Sequence, residues 1–208
     1  MRLHGDAARQ VLADAWERWA QRCSRLTAEE WATPTRCGGW DVAALLAHVC
    51  PEPAMFGRLA EAAVDPPAAV TDAALMLRRF NEPGGVATTN ADSIAGNAVS
   101  DAAALTATAA ARRFADSAVT LRAGTMPEST VIAYPVVGTT TLAVIVETAL
   151  MEATVHLLDL AAAVGGVEPS PEALAATRDL LVAVPDATAA VEVLAGRAPF
   201  DTALPVIR

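Results

Sequence analysis

TTTLAVIVETALMEATVHLLDLAAAV, from Thr139 to Val164, is a long apolar run whose second half holds Glu152, His156 and Asp159. At about 100° per residue, Glu152 and His156 stand one helical turn apart. Asp159 follows on the same stripe, and Thr148 and Ile145 continue it toward the N-terminus. One face of one helix thus carries a carboxylate, an imidazole and a second carboxylate. Such groups are costly to bury unless they are paired, hydrogen-bonded or bound to a metal, so the stripe marks a candidate site. Glu147 falls on roughly the opposite side, where a solvated or salt-bridged role suits it. The run is long enough to raise the question of a membrane span. Two acids and a histidine in its central and later turns argue against one, and the stretch reads as the core helix of a soluble bundle.

Composition points the same way. The chain has 208 residues, 53% of them hydrophobic but only 4% aromatic, so much of its apolar content is alanine, valine and leucine. Alanine- and leucine-rich segments favour helices, which predicts an all-α protein. The net charge is −9 and all 15 basic residues are arginines. A lysine Schiff base and a P-loop lysine are excluded, and an acidic chain does not suit a phosphate-backbone binder, so no nucleic-acid partner is expected. Cys23, Cys37 and Cys50 are odd in number and lack C-x-x-C spacing, as in a reducing cytosol. The N-terminus enters a charged amphipathic pattern without an apolar signal core, so the expected location is cytoplasmic, with no membrane partner.

Taken in order, Val11, Leu12, Ala15, Trp16 and Trp19 recur at helical spacing over Asp6 to Arg25. His4 precedes this helix in a polar terminus. Thr27 with Glu30 has capping-box spacing. Trp40 is expected to plug the end of the bundle, and Asp41 stands at an N-cap before DVAALLAHVC, which carries His48. Pro51 and Pro53 stop that helix near Cys50. Thr71 to Phe80 reads as a short helix, Glu82 to Ser93 as a surface loop, and Ile94 or Ser100 to Arg122 as a third long helix whose arginines make a solvated end. Gly124 to Gly138 reads as a connection, and Tyr134 within it reads first as a residue buried for packing and second as one whose hydroxyl reaches a substrate. The expected layout is a bundle over 1–165 with a short helical extension over 166–208 docked on it. Cys50 points away from His48 by helical phase, and Cys23 and Cys37 lie outside the site elements, so all three read as core or loop thiols.

His48, Glu152 and His156 make a His, Glu, His set on facing helices of a four-helix bundle. Two imidazoles and a carboxylate suit zinc or another divalent first-row metal, and three protein ligands leave a position open for water or substrate.

Trp31, Pro34, Thr35, Gly39, Trp40, Asp41, Val42, Leu45 and His48 resemble the W-x-x-P-T…G-W-x-V-x-x-L-x-x-H signature of the mycothiol-dependent maleylpyruvate isomerase family. That family belongs to the DinB-like metal-binding bundles. Glu152 to Ala161 resembles its E-x-x-x-H-x-x-D-L-A segment, and Leu194 to Arg197 its L-A-G-R ending. The resemblance implies a DinB-like four-helix bundle with a metal, zinc being the leading choice, held by His48, Glu152 and His156. It also implies mycothiol as co-substrate, with Asp159 beside His156 or holding a polar group of the thiol. Such a site activates a thiol as its thiolate for isomerisation or S-transfer on a small electrophile. Full-length isomerases of the family carry a further C-terminal α/β domain, for which the stretch to Arg208 holds no strand-rich segment. A thiol S-transferase or a paralogue with another substrate is therefore an equal expectation. The alternatives are a non-catalytic, stress-associated metal-binding bundle and a metal-dependent hydrolase with Glu52 or Asp159 as base. Glu52 and Tyr134 are the candidate pocket residues, and the chain is expected to be a monomer or homodimer.

Overall fold

The computed structural model describes residues 3–203, and the caps foreseen in the sequence set several helix starts. Helix α1 spans Asp6–Cys23. The short α2 (Ala28–Trp31) opens with both halves of the Thr27/Glu30 capping box in place. Asp41 accepts from the Ala44 amide and starts α3 (Val42–Val49), which ends before Pro51. The chain continues through α4 (Met55–Glu61), β1 (Ala63–Val64), α5 (Ala73–Asn81), α6 (Val86–Thr89), α7 (Ala91–Ala102) and α8 (Ala107–Ala123). Then come β2 (Val131–Tyr134), β3 (Gly138–Thr141), α9 (Leu142–Val164), α10 (Pro171–Ala183), α11 (Ala187–Leu194) and a 3-10 turn at Phe200–Thr202. The last residues of the expected C-terminal segment, 204–208, lie outside the described residues, as do Met1 and Arg2. No described helix is long and apolar enough to cross a membrane.

Helices α1, α3, α8 and α9 bury Trp19, Leu45, Phe114 and Leu157 in one core. Trp19 stacks on Phe114 with ring centroids 5.2 Å apart and donates its Nε1–H to the Ala153 carbonyl at 3.0 Å. Arg9, near the start of α1, reaches the carbonyls of Gly124 and Met126 just past α8, so α1 and α8 run antiparallel. Arg22, near the end of α1, reaches the carbonyls of Val164 and Gly165 at the end of α9, so α1 and α9 run parallel.

Helix α9 serves two cores, and this explains why it is so apolar. Leu142, Val146, Leu150, Ala153, Leu157 and Leu160 face the main core. Val144, Met151 and the half-buried Val155 face a second, shared with Val70 ahead of α5, with Met76 of α5 and with Leu180 of α10. Between these faces remains the stripe of Thr148, Glu152, His156 and Asp159. Glu147 lies on the far side and pairs with His4 Nδ1 at 2.7 Å.

Three local expectations are corrected. The expected connection over 124–138 contains strand β2, which pairs antiparallel with β1 and with β3 in the order β1-β2-β3. These strands have two to four residues, too few for an alternating pattern to show, although Val131, Ile132 and Thr139 to Thr141 have the β-branched character that suits them. Gly138, at φ 82, makes the turn into β3, which leads directly into the Thr141 cap of α9. The third long helix is two helices. Thr106 accepts from the Ala109 amide and starts α8 afresh, so that α7 packs on α3 and α8 on α1. The surface loop over 82–93 holds α6 and the start of α7. Of the arginines on α8, Arg112 is exposed, as expected, and pairs with Asp116 one turn on, while Arg122 pairs with Asp14 and Glu17 of α1.

Candidate metal centre

The site forms where α3 and α9 face each other. Asp41 fixes the start of α3 and so the turn on which His48 projects, while the two cores fix the rotation of α9. The His48 and His156 rings lie 5.2 Å apart and nearly perpendicular, at 89°. Glu152 Oε2 approaches His156 Nε2 at 3.3 Å. One ligand atom from each of His48, Glu152 and His156 lies within 4.8 Å of the other two. Nitrogen, nitrogen and oxygen donors at this spacing fit a divalent first-row cation. The Glu152 side chain is 44% exposed and His48 keeps contact with solvent, so small molecules can approach from that side.

A second set of contacts lies on the other edge of the His156 ring. Its Nδ1 donates to Asp159 Oδ2 at 2.8 Å. Asp159 also accepts from Arg36 Nε at 2.5 Å and from the Cys37 thiol at 3.2 Å. Trp40 covers the pair of imidazoles, with its ring 4.8 Å from that of His48 and 6.4 Å from that of His156. Its buried Nε1 has no hydrogen-bond partner among the described residues. Trp40 also lines a cavity of about 390 Å³, together with Pro34, Thr35, Asp41 and Val99 among others.

Electrostatics separate the two histidines. Burial disfavours the charged form of His156, but hydrogen bonds to Asp159 and Glu152 outweigh it and lift its pKa from 6.5 to about 9. Burial likewise opposes the Asp159 carboxylate, and the donors His156, Arg36 and Cys37 overcome it, holding its pKa at about 2. Desolvation, aided by the neighbouring His156, pushes His48 below its ordinary value against the pull of Glu152. Desolvation first and Asp159 second raise the Cys37 thiol to about 11, so it remains an S–H donor.

The structure brings together His48, Glu152, His156 and Asp159. Glu52 stands apart, 64% exposed and paired with Arg58, outside both donor groups among the described residues. Tyr134, at the end of β2, stacks on Phe80 with centroids 6.2 Å apart, near enough to Glu152 for that charge to add to the upward push of desolvation on its phenol. Two expectations change here. Trp40 walls the site itself, and Cys37, read as a loop thiol outside the site elements, bonds to Asp159. Nothing in the local spacing of Arg36 and Cys37 signals this, because their partner lies more than a hundred residues away.

A family model described as the mycothiol maleylpyruvate isomerase N-terminal domain matches residues 12–161, a span that contains every residue of the site. Neither a curated protein nor a solved structure matches the chain.

Proposed function

The chain belongs to the mycothiol maleylpyruvate isomerase N-terminal domain family, and from that footing we propose that it is a metal-dependent enzyme acting with a low-molecular-weight thiol, mycothiol in the first instance. The reaction is isomerisation of, or sulfur transfer to, a small electrophile. His48, Glu152 and His156 would hold the cation, with zinc the best fit to two imidazoles and a carboxylate. The observation that carries this reading is the convergence of those three donors within 4.8 Å from two separate helices. A divalent cation held there supplies Lewis-acid activation, which favours the thiolate form of a bound thiol at neutral pH.

The protein's own groups shape what surrounds it. Asp159 takes the Nδ1 proton of His156 as a hydrogen bond, which turns Nε2 toward Glu152 and His48. Trp40 shields the imidazoles on one side and leaves the Glu152 side open. The cavity that Trp40 helps to line lies in the size range of small-molecule sites and is where the polar body of a thiol would lodge. Thiolate addition to an activated double bond, followed by rotation and departure, gives isomerisation; displacement of a leaving group gives transfer. Both need the same activated sulfur, and the two outcomes differ in the electrophile supplied.

The test is calorimetric titration of the full chain with mycothiol and with a simple thiol, before and after chelation. Metal-dependent binding that prefers mycothiol is expected, and it leads to an electrophile screen. Stoichiometric metal without thiol affinity would overturn the proposal in favour of a hydrolase or a non-catalytic metal-binding bundle.

A further inference from the structure

Asp159 receives three donors at once, and two of them come from adjacent residues of one loop. Arg36 binds Oδ1, while Cys37 and His156 share Oδ2. The carboxylate is only 7% exposed, so these contacts rather than water define its orientation. The loop between α2 and α3 is braced on its own account. The Thr35 amide donates to the Trp40 carbonyl at 2.9 Å, the Cys37 amide to Thr35 Oγ1 at 3.2 Å, and the Trp40 amide to the Cys37 carbonyl at 3.0 Å. The Val42 amide, at the start of α3, donates to the Thr33 carbonyl at 3.0 Å. Arg36 and Cys37 are thus held on a rigid turn whose far end begins the helix that carries His48.

From this geometry we infer that Arg36 and Cys37 are positioning residues for metal binding, fixing Asp159 so that His156 keeps its proton on Nδ1 and presents Nε2 to the cation. The inference rests on the ligand set proposed above. An ionised carboxylate only accepts, so the nitrogen facing Asp159 donates, and the other nitrogen is the one free to ligate. One ligand atom from each of Cys37, His156 and Asp159 also lies within 4.8 Å of the other two, a grouping that could hold a cation directly. The Arg36 guanidinium already bound to that carboxylate disfavours a second cation, and occupying Nδ1 would require His156 to lose the proton it donates. The thiol therefore serves as a hydrogen-bond donor.

The experiment combines nitrogen-15 NMR of the imidazoles in the zinc-loaded full chain with zinc affinity by chelator competition and ultraviolet titration with cadmium. The wild type is expected to show His156 protonated at Nδ1 and metallated at Nε2, with no sulfur-to-cadmium absorption that depends on Cys37. The Arg36→Ala/Cys37→Ala double variant should bind zinc about tenfold more weakly, the lower end of the effect of such supporting groups, while Cys37→Ser, which keeps a donor, stays close to wild type. A proton-free Nδ1 in the wild type, or a cadmium band abolished by Cys37→Ser, would overturn the inference by making Cys37 or Nδ1 a ligand. So would a double variant with wild-type zinc affinity. If the double variant fails to fold, the wild-type spectra and Cys37→Ser still decide. Failure of the wild type to bind any metal would instead remove the ligand set itself, and this inference with it.

Discussion

Arg22 and His48 are both polar residues on core-forming helices, and the structure treats them oppositely. Arg22 is buried and fully engaged, donating to the Gly165 carbonyl at 2.8 Å, the Val164 carbonyl at 3.1 Å and Glu30 Oε1 at 2.5 Å. Arg9 does the same at the other end of α1, with two carbonyls and Glu128. Each guanidinium satisfies carbonyls at a helix end, where a cation is favoured. His48 makes no hydrogen bond among the described residues, and its ring stands against another histidine that holds its proton tightly. The arginine knots are complete without a ligand. The histidine pair has donor atoms to spare, and the difference separates a structural polar cluster from one suited to a metal.

The largest effect that could break this contrast is at Arg22. Arg22→Ala leaves the α9 carbonyls and Glu30 without their donor and should destabilise the protein by about 3 kcal/mol, read by urea denaturation of chelated protein. A loss below about 0.5 kcal/mol would show that the knot is decorative.

The pH dependence of the metal-free protein sharpens the comparison. His156 has its pKa raised from 6.5 to about 9, so the stability it contributes is fully present below pH 6.5 and is lost as pH rises through 9. The depressed His48 acts in the opposite sense, costing stability as pH falls below 6.5 toward its folded value. Asp159, held at about 2 against 3.8, contributes above 3.8 and loses its contribution as pH falls through 2. Stability of the chelated protein should therefore peak near pH 6.5, and His156→Gln should flatten the alkaline side. An unchanged alkaline limb in that variant would contradict the assignment.

The smallest effect is at Glu52. The residue is exposed and paired only with Arg58, so Glu52→Ala should change stability by less than about 0.5 kcal/mol and leave metal content unchanged. Loss of metal in this variant would mean that the site extends past the end of α3 into the loop before α4.

Legibility from sequence followed physical range. The caps at Thr27 and Asp41 and the break before Pro51 were readable because each depends on neighbours within a few residues. The stripe of Glu152, His156 and Asp159 was readable because helical period alone aligns it. The pairing with His48 took a facing-helix argument and a family signature. What escaped was non-local or too short. The α7 to α8 break depends on which partner each helix packs against, since alanine suits a continuous helix equally well. The strands fall below the length at which alternation is visible. The bonds of Arg36 and Cys37 to Asp159 cross more than a hundred residues, and no local spacing encodes them.

The most direct measurement is elemental analysis of wild type, His48→Ala and His156→Ala, purified and re-equilibrated with zinc at neutral pH. Close to one divalent metal per wild-type chain, lost in both variants while their helical content is retained, is the predicted result. A wild type that takes up no metal, or variants that retain it, would contradict the account of the histidine pair.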